Sequence, residues 1–69
     1  MEKVETKEDI YARAKIQHET LDRRLQMLLR KPYLTAEEDL EVRILKKRKL
    51  YFKDIMERAK EEMDKEVAN

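Results

Sequence analysis

The chain of 69 residues contains one proline, Pro32, near its middle, and no glycine. Proline breaks a helix at an interior position and disfavours helical geometry at the residue before it. Both halves are rich in Ala, Glu, Lys, Leu and Arg, a composition typical of long helices. No segment alternates between apolar and polar residues as a strand does. The sequence therefore predicts one all-α domain, 1–69, with helices at about 7–30 and about 36–66 and a loop at 31–35.

Both predicted helices begin at a residue that can cap free backbone amides. Thr6 precedes acidic residues, which the dipole of a helix favours in its first turn. Thr35 and Glu38 have the spacing of a capping box, in which each side chain accepts a hydrogen bond from the amide of the other residue. A loop as short as 31–35 implies that the helices lie side by side and antiparallel, as a coiled-coil-like hairpin.

Apolar residues recur along each helix at the three- and four-residue spacing of a coiled coil. The first helix carries Tyr11, Ala14, His18, Leu21, Leu25 and Leu28 at this spacing. The second carries Val42, Leu45, Phe52, Met56, Ala59 and Met63, interrupted by Lys49. We call these two rows the seam, and we predict that Leu21 lies near Leu45 and Ala14 near Phe52. In the loop, Tyr33 and Leu34 are predicted to cover the end of the seam, with an exposed docking tip as the alternative.

Several apolar residues fall outside the seam and would be exposed in a single hairpin. They are Ile16, Met27, Ile44, Leu50 and Tyr51. Exposed apolar patches commonly mark interfaces, and a chain this small needs a disulfide, a metal or oligomerisation to supplement its core. There is no cysteine and only one histidine. We therefore expect a homo-oligomer, a dimer or tetramer forming a helical bundle, and an unidentified protein partner bound through the helix faces.

His18 and Asp22 lie one helical turn apart and permit two interpretations. In the first they are metal or proton-transfer groups, and a four-ligand site would need the same pair from a second chain. In the second, His18 is a polar seam residue that hydrogen bonds to a carboxylate and sets the register of the helices. We favour the second interpretation and predict no metal and no cofactor.

The densest basic run suggests an alternative function. It consists of Arg43, Lys46, Lys47, Arg48, Lys49 and Lys53. Such a strip could bind phosphates of a nucleic acid weakly. Residues 46–49 span a whole helical turn, however, so their charges are predicted to radiate, and the net charge of the chain is only +1. We favour a solvated face with ion pairs over nucleic-acid binding.

The sequence does not favour an enzyme or a membrane protein. It has no serine or cysteine nucleophile and no glycine-rich phosphate loop. No apolar run reaches membrane-spanning length, and the first five residues lack the apolar core of a signal peptide. We expect a non-enzymatic, cytoplasmic protein.

Two segments, 18–22 and 45–55, resemble elements of the YdcH-like family of small bacterial proteins of unknown function. His18-Glu19-Thr20-Leu21-Asp22 resembles the H-x-x-L-D element of that family. Leu45-Lys46-Lys47-Arg48-Lys49-Leu50-Tyr51-Phe52-Lys53-Asp54-Ile55 resembles its L-K-K-x-K-L-x-L-K-D-x-I element. The resemblance covers about 18–59 and implies a bacterial helical hairpin with these elements on its two arms. It implies no activity.

Overall fold

The structure is a computed structural model that describes residues 5–67. Helix α1 is Lys7–Leu29 and helix α2 is Ala36–Val67. At about 1.5 Å per residue the two helices are roughly 34 and 48 Å long. They pack along each other, and the described residues contain no strand. The predicted all-α hairpin is confirmed; α1 ends one residue before the predicted bound and α2 runs one residue beyond it.

Both helices start with a capping box. The Thr35 hydroxyl accepts from the Glu38 amide at 3.0 Å, and the Glu38 carboxylate accepts from the Thr35 amide at 3.1 Å. Thr6 is the N-cap of α1 and makes the same reciprocal pair of bonds with Asp9. The two predicted caps are confirmed. The box at Thr6 was not predicted, because an aspartate replaces the glutamate or glutamine that usually completes this motif.

The core lies along the seam and is small. Its fully or nearly fully buried side chains are Ala14, Leu25, Leu28, Val42, Leu45 and Ala59. Near the loop, Leu25, Leu28, Val42 and Leu45 form one cluster, against which Leu21 packs as a half-buried neighbour. Leu21 and Leu45 therefore belong to the same cluster, as predicted. A core confined to one contact between two helices leaves the outer faces of both helices to solvent.

The loop covers the end of the core with one side chain only. Leu34 is half-buried against the core cluster. Tyr33, its neighbour, is 87% exposed. The prediction that both residues cover the core is right for Leu34 and wrong for Tyr33. Adjacent side chains in a non-helical segment point in different directions, and the segment between Pro32 and the cap at Thr35 turns only Leu34 inward.

Ion pairs across the hairpin are consistent with a single antiparallel register. From the loop toward the open end they are Arg24–Glu41, Asp22–Lys49 and Lys7–Glu62. The guanidinium of Arg24 donates two hydrogen bonds to Glu41, at 2.7 and 3.1 Å. The ammonium of Lys49 donates to Asp22 at 2.5 Å. Bidentate arginine–carboxylate geometry is more specific than a point contact, so the pair beside the core cluster holds the register most firmly.

Candidate interaction surfaces

Two antiparallel helices leave a groove on each side of their contact, and the two grooves of this hairpin differ. One groove, here called the apolar groove, is lined mainly by Ile10, Ile16, Gln17, Phe52 and Ile55. The opposite groove, the lysine groove, is lined on its α2 edge by Lys46, Lys49, Lys53 and Lys60. No lysine lines the apolar groove in the part of the chain that the structure describes.

The apolar groove continues into a stripe on the exposed surface of α2. This apolar stripe consists of Leu40, Ile44, Tyr51 and Ile55, which follow one another at intervals of four, seven and four residues. Such intervals place all four on one face of a helix, over about 22 Å. Ile44 is 42% exposed and Tyr51 is 61% exposed. The Tyr51 ring meets the half-buried Phe52 ring edge-on, with centroids 5.2 Å apart, so the exposed ring contacts a residue of the seam.

Charges beside the apolar groove are largely paired within the chain. Arg13 forms an ion pair with Glu5, and both line the groove. Arg24 follows Gln17 by two helical turns and is held by Glu41. The exceptions are Arg48, four residues after Ile44, and Arg58, three residues after Ile55; neither forms an ion pair with any described residue. The apolar groove and the apolar stripe, together called the apolar side, therefore present aliphatic and aromatic surface with one unpaired cation in the middle and another at one end.

The lysine groove combines positive charge with an apolar floor. Its four lysines are spaced by three, four and seven residues, which keeps them on one face of α2. Leu25 and Leu29 from α1, and Leu50 and Met56 from α2, line the groove between them. Only Lys49 has an acidic partner, Asp22; among the described residues, the other three lysines make no ion pair. The lysine groove is therefore the electropositive side of the hairpin.

The five residues predicted as an interaction surface do not form one surface. Ile16, Ile44 and Tyr51 belong to the apolar side, and Met27 follows Ile16 by eleven residues, or three helical turns. Leu50 lines the lysine groove instead. It follows Ile44 by six residues, which turns it far around the helix axis. The five are all exposed, as expected for residues outside the seam, but Leu50 must be considered apart from the other four.

The predicted basic strip is divided among several faces. Arg43 pairs with Asp39 one turn earlier on α2, at 3.2 Å. Lys47 and Arg48 lie outside the lysine groove, as expected for charges that radiate. Lys46, Lys49 and Lys53 instead share the groove, and Lys60 joins them. Lys60 was not predicted as part of the basic strip, although its spacing of seven residues from Lys53 indicates that the two share one face of α2.

Asp22 accepts its hydrogen bond from a residue other than His18. The hydrogen bond to a carboxylate that was predicted for His18 is instead donated by Lys49, across the seam. His18 is half-buried in the lysine groove, beside Lys49 and Lys53. Residues 5–67 contain no group of three or more histidine, aspartate or glutamate side chains arranged to hold a metal ion.

The ion pairs predict how stability depends on pH. Hydrogen bonds from Lys49, Lys31 and Arg24 lower the pKa values of Asp22, Glu38 and Glu41 respectively. A carboxylate whose pKa is lower in the folded state stabilises the fold above its ordinary pKa, and this stabilisation is lost as the pH falls through the folded-state value. We expect the urea midpoint of the helical signal to decrease between about pH 5 and about pH 2.

Neutralised variants supply the control for this prediction. Asp22→Asn and Glu41→Gln remove two of the titrating carboxylates, so the double variant should show a smaller decrease over the same pH interval. The effect per pair is modest because these side chains are solvent-exposed. A midpoint that stays constant down to about pH 2 in the unmodified chain would contradict the ion pairs.

Neither helix has, within the described residues, a stretch long and apolar enough to cross a membrane. Comparisons of the chain with family models, with curated proteins and with solved structures find no match.

Proposed function

We propose that this chain is a non-enzymatic, cytoplasmic interaction module that self-associates through its apolar side and presents its lysine side to a partner protein. The observation that carries the proposal is the apolar stripe. Leu40, Ile44 and Tyr51 are exposed on one face of α2, and the half-buried Ile55 joins them to a groove lined by isoleucines of both helices. Large apolar surface that remains exposed in a single chain commonly marks a contact with another protein.

The small size of the core favours a second copy as the occupant of the apolar side. A chain below about 70 residues rarely gains more than about 3–5 kcal/mol from one core. Only six side chains are buried here among those described, and two of them are alanines. Two hairpins joined by their apolar sides would form a four-helix bundle, a closed arrangement with a two-fold axis. Each copy would then supplement the core of the other.

Electrostatics favour the apolar side over the lysine side for this contact. Joining two lysine grooves would bring eight lysines of like charge together, which opposes association. On the apolar side, Arg13 and Arg24 are already neutralised by Glu5 and Glu41 of the same chain. A second copy that approaches from this side meets fewer unpaired cations than one that approaches from the lysine groove.

The two elements that resemble the YdcH-like family lie opposite each other on the hairpin. Asp22, the last residue of the first element, bonds to Lys49 in the middle of the second. Membership of that family, with the bacterial origin that it implies, is part of this proposal and rests on the resemblance of the two elements alone. It adds no activity to the proposed interaction function.

The test of self-association is the mass in solution, measured by sedimentation equilibrium over a range of concentrations at two salt levels. We expect a dimer or tetramer whose mass changes little with salt, because the contact is mainly apolar. Helicity recorded on the same samples serves as the control for folding. A folded monomer at micromolar concentration, at both salt levels, would contradict the proposed self-association.

A further inference from the structure

We propose that the lysine groove binds an acidic amphipathic helix of a partner protein. This inference specifies the kind of partner that the interaction module proposed above would bind. It rests on that proposal only because both treat the chain as a binding protein. It does not require self-association, because the groove is complete within one chain. Residues of both helices line it, and its α2 edge carries four lysines.

The dimensions of the groove fit a helix of about four turns. Its two stretches share His18, Lys49 and Lys53, so they form one continuous groove along the hairpin. From Lys46 to Lys60 the groove follows fourteen residues of α2, which corresponds to about 21 Å. A third helix laid between two antiparallel helices completes a three-helix bundle and buries one apolar stripe of its own.

The floor of the groove favours a peptide with apolar side chains. Leu29 and Leu50 line the stretch near the loop, and Tyr11 and Met56 line the stretch near the open end. These residues would contact leucine-like side chains that recur at intervals of three and four residues on a partner helix. Methionine adapts to partners of different shape. A ligand that carries only phosphate groups would leave this floor uncovered.

The charge of the groove requires a partner with acidic flanks. Lys46, Lys53 and Lys60 have no ion-pair partner among the described residues, and Glu57 is the one acidic side chain that lines the groove. A second copy of this chain would bring the same lysines and be repelled. Lysine stems can lie along apolar side chains while the ammonium groups reach outward. Glutamates or aspartates beside a leucine stripe on the partner helix would form ion pairs with these ammonium groups.

Nucleic acid fits the groove less well than an acidic helix does. Among the described residues, the rings of Tyr11 and His18 are the aromatic surfaces that line it, whereas grooves that hold single strands stack successive bases on a row of aromatic side chains. The apolar floor has no counterpart in a phosphate backbone. Binding of a nucleic acid in preference to an acidic helix would therefore contradict the proposal.

The test uses a labelled synthetic peptide of about fourteen residues with a leucine stripe and flanking glutamates, titrated with the full chain and followed by fluorescence anisotropy. One control peptide has the same composition in scrambled order, and another has glutamine in place of glutamate. A labelled single-stranded oligonucleotide is the fourth probe. We expect only the striped acidic peptide to bind well and to gain helicity on binding.

Paired variants of the chain localise the contact. Lys53→Gln with Lys60→Gln removes two groove lysines and should weaken peptide binding by about tenfold or more, because truncating charged groups at an interface costs affinity. Lys47→Gln with Lys65→Gln changes the net charge equally on another face of α2 and should leave the affinity unchanged. No binding of the striped peptide up to millimolar concentration, equal effects of the two double variants, or tighter binding of the oligonucleotide would each overturn the proposal.

The two proposals fail in distinguishable ways. A folded monomer that still binds the striped peptide would remove self-association and leave the groove assignment intact. An oligomer that binds none of the peptides would remove the groove assignment and leave self-association intact.

Discussion

Replacing Leu28 with alanine should destabilise the hairpin by about 2–5 kcal/mol, as truncations of buried leucines generally do. Leu28 is 0% exposed, and no other side chain of the described part is so completely enclosed. It packs in the cluster with Leu25, Val42 and Leu45, beside the loop. Because a core this small supplies only about 3–5 kcal/mol, the expected loss approaches the whole free energy of unfolding. The helical signal of the variant should be largely lost at 25 °C.

Leu50→Ala is the matched control, since it removes the same atoms from a leucine that is 58% exposed. Its effect should remain within about 0.5 kcal/mol, the usual range for surface substitutions. Urea titrations followed by circular dichroism measure both variants, at one protein concentration because self-association makes the midpoint concentration-dependent. If both variants shift the midpoint equally, Leu28 does not lie in a core of the kind described, and the closed hairpin is wrong.

The fold could be predicted because its determinants are local in the sequence. Pro32 sets the position of the turn, and Thr35 with Glu38 sets the first residue of α2, whatever the rest of the chain does. The spacing of apolar residues assigns the seam, since the helical period fixes the face on which each residue lies. These signals do not depend on how the two helices meet.

The surfaces were harder to predict because they depend on how the helices meet. Leu50 and Tyr51 are neighbours in the sequence and lie about 100° apart around α2. Leu50 lines the lysine groove and Tyr51 contacts Phe52, a division that matters only once α1 occupies the seam. The partner of Asp22 depends equally on the register. Both His18 and Lys49 act on the Asp22 carboxylate, but the hydrogen bond comes from Lys49. This bond forms because the register of the packed helices places Lys49 opposite Asp22. A shift of one turn in the register would change both results.

Replacing Ile44 with glutamate should dissociate the oligomer while leaving the hairpin folded. Ile44 lies in the apolar stripe and is already 42% exposed in the single chain, so the substitution does not disturb the core. The new carboxylate precedes Arg48 by four residues, an interval that supports a helix. Burying one isoleucine contributes about 1.5–3 kcal/mol. A two-fold interface contains the residue twice, so we expect the dissociation constant to rise about 100-fold or more.

Arg48→Leu tests the same surface in the opposite direction. Arg48 interrupts the stripe with a cation that has no ion-pair partner among the described residues, so leucine at this position should make the stripe continuous and strengthen self-association. Leu50→Glu is the matched control for Ile44→Glu, because it introduces the same charge on the opposite side of α2 and should leave the mass unchanged. Sedimentation equilibrium of the three variants, with helicity as the check on folding, separates the alternatives. If Leu50→Glu dissociates the oligomer and Ile44→Glu does not, two copies meet through the lysine side, and an anion or an acidic segment must neutralise the lysines between them.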